Sequence, residues 1–291
     1  MHDSIEPAGL LAPSARFCHR YPGGVTIGLL HPGEMGAQVG RCLQDAGHRV
    51  LWASAGRGSQ TRARAAAAGL TDAGTTGALA EQADLILSVC PPHAAVEVAR
   101  SVAGFGGLYL DANAIAPQTA REVASIISAR GGQYVDGGII GPPPVSREST
   151  RLYLSGAAAP QVQRLFDGSA LEARIAGTGP FAASAVKMAY AGWTKGSAAL
   201  LLTVRALAEA EGVADVLAAE WALSQPGLED RLAGAGRSAA GKGWRWTAEM
   251  EQVAETVSSA GLPGGFWLAA AEVFGRYPRP SAEPDPPPKS R

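Results

Sequence analysis

The chain has 291 residues, 46% hydrophobic and 18% charged, with a formal net charge of −1. This composition is typical of a globular protein with room for two domains, and the balanced charge argues against nucleic acid as the main partner. Three cysteines without CxxC spacing argue against a disulfide framework or a metal site, and the chain lacks the apolar run of a membrane span and the order of a signal peptide, so we expect a cytoplasmic protein.

The two ends of the chain carry no periodic pattern. Residues 1–23 contain scattered prolines and glycines and are predicted to be a mobile extension. Six prolines fall within residues 278–291, a density that excludes helix and packed core. We therefore expect a disordered tail at 278–291.

Strand and helix signals alternate through the first half of the chain. Apolar runs predict buried strands at 25–30, 48–53, 85–89 and 108–111, with further strands at 133–136 and 150–155. Helical patterns occupy 34–46, 62–68 and 117–129. This alternation predicts an α/β fold, a doubly wound, mostly parallel sheet over residues 24–178 that binds a dinucleotide.

Helical patterns alone continue in the second half. A long Ala/Leu-rich helix is predicted at 181–211, followed by helices at 214–224, 226–234, 245–260 and 265–276. The long helix is apolar on all sides, so other helices or a second subunit must cover it. Residues 179–277 are therefore predicted to be an all-helical substrate and dimerisation domain.

A glycine-rich turn separates the first strand from the first helix. The segment Gly28-Leu-Leu-His-Pro-Gly-Glu-Met-Gly36 lies where a doubly wound sheet holds a pyrophosphate, because small residues admit the phosphates and the helix N-terminus offers free N–H groups. His31 stands where the first glycine of GxGxxG is expected, so the match is incomplete. A tight turn without ligand is the alternative. The residues expected to contact the cofactor here are His31, Pro32, Gly33, Glu34 and Met35.

The end of the second strand indicates which nucleotide is bound. No acidic residue follows it to bind the ribose of NAD; Ser54, Arg57, Ser59 and Arg62 stand there instead. Guanidinium and hydroxyl groups suit a 2′-phosphate, so NADP(H) is favoured over NAD(H). A solvated charged face at a helix start is the alternative.

Lys187 is the most conspicuous ionisable residue of the long helix. Lys187, Tyr190, Ala191 and Thr194 share one helix face in an apolar context. Burial of a charged lysine costs free energy unless the ammonium is ion-paired or its pKa is lowered so that the amine is neutral. A lysine whose pKa is shifted toward neutrality is an effective proton donor and acceptor. Tyr190 is positioned to share the proton. The alternative is a lysine whose head reaches solvent.

Five segments together resemble a known superfamily. TIGLLHPGEMG, LSVCPP, LDANAIAP, YVDGGIIGPPP and AVKMAYAGWTKG are similar to sequences of the 6-phosphogluconate dehydrogenase and β-hydroxyacid dehydrogenase superfamily, to which imine reductases also belong. The resemblance spans about residues 25–277. It is greatest to the branch whose helical C-terminal domain is a domain of unknown function, assigned as a phosphogluconate dehydrogenase C-terminal domain.

The resemblance implies a Rossmann domain, an interdomain helix and a homodimer with interlocked C-terminal helices. It implies that Lys187 is the catalytic lysine, that Cys90, Pro91 and Pro92 line the cofactor cleft, and that Asn113 lies near the nicotinamide ribose. The residues expected to bind the substrate are Ile139, Ile140, Thr194, Trp246 and Met250.

Three departures from the family pattern bear on the substrate. The chain lacks the asparagines that usually follow the catalytic lysine, and it has Gly138-Ile-Ile-Gly-Pro-Pro-Pro144 where a Ser-Gly-Gly loop usually grips a carboxylate. A lysine often found in the C-terminal domain is also absent from Trp244–Met250. The changes favour a bulkier or less acidic substrate than a small hydroxyacid.

The sequence thus predicts an NADP(H)-dependent oxidoreductase that moves hydride to or from a C=O or C=N carbon of a small, weakly acidic or apolar molecule. Ketone/alcohol and imine/amine chemistry both remain open. The alternative is a non-catalytic NADP-binding sensor or scaffold, which the missing asparagines and serine favour.

Overall fold

The computed structural model describes residues 24–278. The extension at 1–23 and nearly all of the tail predicted at 278–291 lie outside this range. The described chain divides between Met188 and Ala189 into two compact units. This boundary lies within the long helix, later than the boundary expected at residue 178.

The first unit is built on one eight-stranded sheet with the order β3-β2-β1-β4-β5-β6-β7-β8. The strands are β1 (Thr26–Leu29), β2 (Arg49–Trp52), β3 (Thr71–Asp72), β4 (Leu85–Ser88), β5 (Leu108–Asp111), β6 (Gln133–Ile140), β7 (Thr150–Ser155) and β8 (Leu171–Ile175). Only the β6–β7 pair is antiparallel. The predicted fold class is confirmed.

Six helices lie within the sheet-containing part of the first unit. They are α1 (Glu34–Asp45), α2 (Ser59–Ala67), α3 (Thr76–Gln82), α4 (Ala95–Arg100), α5 (Pro117–Ser128) and α6 (Ala159–Arg164), and a 3₁₀ turn covers Pro92–Ala94. Helix α1 ends as its sequence predicts, since Gly47 has a φ of +89° and its N–H donates to the carbonyl of Gln44. The strands β4 and β5 are buried along their whole length, as their apolar runs indicated.

Four helices make up the second unit and its connection to the first. They are α7 (Ala182–Ala210), which begins in the first unit, α8 (Ala214–Ser224), α9 (Leu228–Ser259) and α10 (Gly265–Gly275). The two helices predicted at 226–234 and 245–260 are one continuous helix, so that prediction was wrong. Four glycines between residues 234 and 243 lower helix propensity there, but Gly243 packs closely against the ring of Tyr277, where a Cβ would come within 3.1 Å.

Close helix packing forms the core of the second unit. Trp267 donates its indole N–H to the carbonyl of Gly192 on α7, and a Cβ on Gly192 or Gly196 would lie 3.1–3.2 Å from that nitrogen. Trp246 and Phe274 meet edge to face with ring centroids 5.0 Å apart. Because Gly192 and Gly196 have no side chain, the indole of Trp267 on α10 packs directly against the backbone of α7.

Candidate active site

The glycine-rich turn joins β1 to α1 at the carboxyl edge of the parallel strands. Gly36 is required by packing within the chain, because a Cβ there would lie 2.3 Å from the carbonyl oxygen of His31. Gly33 is different: a Cβ on it would meet nothing within 4 Å, and its φ of −70° suits any residue. No contact within the described residues explains the glycine at 33, and bound phosphates that need a close approach to the backbone would explain it.

This contrast gives a test of the turn. Gly33→Ala should leave the free energy of unfolding within about 1 kcal/mol of wild type, since the site has space and a normal φ. The same change should weaken NADPH binding at least tenfold. Gly36→Ala should instead destabilise the fold by about 1–3 kcal/mol, as overpacking against a backbone oxygen does. Urea unfolding and fluorescence titration measure both effects, and unchanged NADPH affinity in Gly33→Ala would argue against a phosphate at this turn.

Two polar groups at the turn have buried atoms without a hydrogen-bond partner among the described residues. These are Nδ1 of His31 and Nε of Arg57. Burial, assisted by the nearby charge of Arg57, lowers the pKa of His31 to about 4, so the imidazole is neutral at pH 7. Orphaned donors beside the helix N-terminus fit a polar, anionic ligand. The residues present therefore fit a dinucleotide.

Two arginines donate to carbonyls of the glycine-rich turn, and a third donates to the segment that follows β2. Arg57 donates to the carbonyl of Leu30 at 3.4 Å, and Arg62 donates to the carbonyl of Ser54 at 3.0 Å. Arg64 donates to the carbonyl of Pro32 at 3.4 Å. Arg64 was missed in the sequence, because an arginine inside a short helix with little apolar periodicity is indistinguishable from a solvated one.

An acidic residue near the end of β2 was also missed. Asp72, the last residue of β3, lies in register with Trp52 at the end of β2. The hydroxyl of Ser54 and the N–H of Gly74 donate to its carboxylate and lower its pKa. A carboxylate therefore lies beside the arginines, supplied by the neighbouring strand, and the hydroxyl of Ser54 is engaged by it.

Asn113 connects the carboxyl ends of β4 and β5. It is buried, its amide nitrogen donates to the hydroxyl of Ser88 at 3.0 Å, and its carbonyl accepts the N–H of Cys90 at 2.5 Å. Its side chain thus holds the Cys90-Pro91-Pro92 segment in place at this edge. Burial raises the pKa of the Cys90 thiol to about 12, so the thiol stays protonated and is not a nucleophile at neutral pH.

Asp111 is a fully buried carboxyl beside this network. Its Oδ1 accepts the N–H of Asn113 at 2.9 Å, and its Oδ2 has no partner among the described residues. Burial, with a contribution from Asp136 on the neighbouring strand, raises its pKa to about 7.

A carboxyl with a raised pKa in the folded state makes stability depend on pH. The folded protein retains this proton after the unfolded chain has lost it, so stability falls as the pH rises from about 4 to about 7. Asp111→Asn cannot ionise, and we expect it to reduce the loss of stability between pH 5 and pH 8 by a few kcal/mol. Urea unfolding of both proteins across that range provides the measurement. Parallel curves for the two proteins would show that Asp111 does not titrate there.

Lys187 lies at the same edge of the sheet as the glycine-rich turn. A Cβ on Gly138 would lie 2.9 Å from the Cβ of Lys187 and 2.8 Å from the carbonyl oxygen of Ala183. Gly138 is two residues beyond Asp136, which is in register with Asp111 at the carboxyl end of β5. The lysine therefore branches from α7 just beyond the carboxyl ends of the parallel strands, where such sheets bind ligands.

The other predicted pocket residues fall into both units. Ile139 and Ile140 are buried at the end of β6. Tyr190 is exposed at the start of the second unit, and Met250 is fully buried in that unit. A cavity of about 340 Å³ within the second unit is lined by both Thr194 and Trp246.

A partly buried ion pair lies next to that cavity. Lys195 is ion-paired with Glu249, and its ammonium nitrogen is 5.6 Å from the centroid of the Trp246 ring. Lys195 also lines the cavity. This pair could not be predicted from the sequence because the two residues are on different helices.

Two family profiles match the chain. The NAD binding domain of 6-phosphogluconate dehydrogenase matches residues 26–170, and a domain of unknown function, DUF1932, matches residues 208–277. The chain belongs to the 6-phosphogluconate dehydrogenase superfamily. This confirms the resemblance found in the sequence, including its C-terminal branch.

Solved structures of the superfamily share the fold over most of the chain. A conserved protein of unknown function, described as structurally similar to 3-hydroxyacid dehydrogenases, is 26% identical with a TM-score of 0.65, over 86% of this chain and 95% of its own. A 3-hydroxyisobutyrate dehydrogenase from Mycobacterium tuberculosis with L-serine is 18% identical, with a TM-score of 0.63 over 86% of this chain and 92% of its own. A reductive aminase from Aspergillus terreus in complex with NADPH and ethyl levulinate is 20% identical, with a TM-score of 0.56 over 87% of this chain and 93% of its own.

The last two likenesses show the fold alone. A search of curated proteins found no significant sequence match. Within residues 24–278, none of the helices combines the length and apolarity that a bilayer span requires. Together with the NAD-binding domain, superfamily membership supports an NAD(P)-dependent oxidoreductase.

Proposed function

We propose that this protein is an NADP(H)-dependent reductase or dehydrogenase that acts on a C=O or C=N carbon of a small, weakly acidic or apolar substrate. The observation that carries the proposal is the close approach of Lys187 to Gly138. It brings an ionisable amine to the edge of the sheet that also holds the glycine-rich turn. One compact unit thus carries both the residues that fit a dinucleotide and a proton donor.

The roles of the chain's residues follow from this arrangement. The nicotinamide cofactor, when bound, gives or takes the hydride at the substrate carbon. As hydride reaches the carbon, the electron pair of the C=O or C=N bond moves to the oxygen or nitrogen, which takes a proton from the ammonium of Lys187. Arg57, Arg62 and Arg64 supply positive charge for the phosphate groups. In oxidation the same steps run in reverse, with Lys187 accepting the proton.

The loop after β6 supports a weakly acidic or apolar substrate. Ile139 and Ile140 occupy the end of the strand, and three prolines follow at 142–144. None of these side chains can hydrogen-bond a carboxylate. The reductive aminase of similar fold was solved with ethyl levulinate, a keto ester without a free carboxylate, which is the class of molecule this loop would accept.

A substrate screen tests the proposal. Purified protein is mixed with NADPH and panels of ketones and cyclic imines, and the loss of NADPH absorbance is followed; alcohols and amines with NADP⁺ test the reverse direction. Turnover in either panel supports the proposal and separates the two chemistries. NADPH binding without turnover of any panel would contradict it and favour the sensor or scaffold.

We also propose a homodimer formed through the second unit. Trp193, Leu200 and Leu207 recur at seven-residue intervals along α7 and are each at least half exposed, Trp193 by 69%. Helix α8 buries none of its residues, and its Val216 and Leu223 are exposed. Large apolar side chains exposed along two helices are typical of an interface between subunits. Light scattering should give twice the mass of the chain, and a monomer at micromolar concentration would contradict the proposal.

A further inference from the structure

The N-terminus of α7 is capped by side chains from two strands. The residues that precede the helix, Gly179, Pro180 and Phe181, have no side-chain oxygen for a local cap. The N–H of Ala183 donates instead to Oγ of Ser155 on β7 at 3.0 Å, and the N–H of Ser184 donates to Oδ2 of Asp136 on β6 at 2.8 Å. These are the bonds that an N-cap residue normally makes, supplied here by the sheet.

Asp136 is the centre of this cap. Its Oδ1 accepts the hydroxyl of Ser184 at 2.5 Å, and its Oδ2 also accepts the hydroxyl of Ser155 at 2.9 Å. Asp136 is only 1% exposed, and Ser155 and Ser184 are fully buried. A buried carboxylate is tolerated only when it is well hydrogen-bonded, and the positive end of the helix dipole favours its charge. The carboxylate and the helix start are therefore bound in one fixed geometry.

The same strand contacts the helix a second time at Lys187. Asp136 and Gly138 point to one face of β6, since side-chain direction alternates along a strand. Their contacts on α7 are at Ser184 and Lys187, three residues apart and so on one face of the helix. Two attachment points fix both the rotation of the helix and its position along the strand.

We propose that Asp136 is a positioning residue for Lys187, holding the first turn of α7 on β6 so that the amine branches at a defined point of the carboxyl edge. This rests on the proposed function only in assigning a proton-transfer role to Lys187. The attachment itself stands on the contacts of Asp136, Ser155 and Ser184.

The experiment compares three alanine variants. Asp136→Ala removes the cap. Ser184→Ala removes one of its bonds and keeps a residue of high helix propensity. Thr75→Ala is the matched control, because Thr75 caps a different helix by accepting the N–H of Ala78 at 3.1 Å. With the substrate found in the screen, kcat should fall at least tenfold in Asp136→Ala and about threefold in Ser184→Ala, while the Kd for NADPH stays within twofold. Thr75→Ala should keep kcat despite its lower stability.

A second readout does not need turnover. Pulse labelling with acetic anhydride, followed by mass spectrometry, gives the reactivity of Lys187 relative to exposed Lys242 in the folded proteins. We expect this ratio to rise at least threefold in Asp136→Ala and Ser184→Ala and to stay constant in Thr75→Ala. If Asp136→Ala does not fold, Ser184→Ala decides. Unchanged kcat and labelling in the folded variants would overturn the proposal, whereas changed labelling in a protein without turnover would uphold the positioning and reject only the proposed function.

Discussion

Lys187→Met should lower kcat by about a hundred- to ten-thousandfold, the usual contribution of a positioned general acid or base. Methionine retains an unbranched side chain of similar length, so the helix and its contact with Gly138 are expected to persist. The affinity for NADPH should stay within about threefold of wild type, because the role proposed for Lys187 is transfer of the substrate proton and not binding of the phosphates. Stopped-flow turnover and fluorescence titration measure the two quantities separately.

Lys242→Met is the control for this substitution. Lys242 is an exposed lysine on α9, and its replacement should leave both kcat and NADPH affinity unchanged. A Lys187→Met enzyme that retains more than a third of wild-type kcat would show that another group supplies the proton. If the Lys187→Met enzyme keeps its kcat with imines but loses its kcat with ketones, the substrate is instead an iminium ion that binds already protonated.

Arg57→Leu should remove most of the preference for NADPH. Hydrogen bonds to charged groups contribute about 1.5–3 kcal/mol, so the Kd for NADPH should rise about 10- to 100-fold while that for NADH changes little. Asp72→Asn should act in the opposite direction, since it removes a negative charge that lies beside Ser54 and near Arg62. Titration of wild type and both variants with each nucleotide, followed by tryptophan fluorescence, gives the six dissociation constants needed.

The control for Arg57 is Arg130→Leu, a change at an exposed arginine after α5. It should alter neither constant. Wild-type protein that binds NADH and NADPH equally would contradict the 2′-phosphate assignment, and so would an Arg57→Leu protein that loses affinity for both nucleotides to the same extent.

The centre of the sheet could be predicted from the sequence because its strands β4 and β5 are buried on both faces. The segments LILS and LYLD have few polar residues and could hardly be anything but buried strands. The two-residue strand β3 and the short helices α3, α4 and α6 were not predicted, since each is too short for a periodic signal and is fixed by its neighbours in the sheet. The continuity of α9 at Gly243, which packs against Tyr277, likewise depends on tertiary packing.

The candidate site was predictable where it is contiguous in sequence. The glycine-rich turn and the apolar face around Lys187 can be recognised from spacing. The contacts of Arg64, Asp72 and Asp136 could not, because each joins residues far apart in the chain. Asp136 at a strand end gave the signal of an ordinary turn-capping aspartate, whereas the structure places it at the start of a helix 48 residues further along.

The absence of a side chain at Gly138 has a practical consequence for directed evolution. Libraries aimed at new substrates would naturally randomise the whole loop after β6. Positions 139, 140 and 142–144 offer variation without this constraint, but even alanine at 138 would collide with the backbone of Ala183 and push the helix away from the strand. Diversity at that codon would mostly produce inactive clones, so screening effort is better spent on its neighbours.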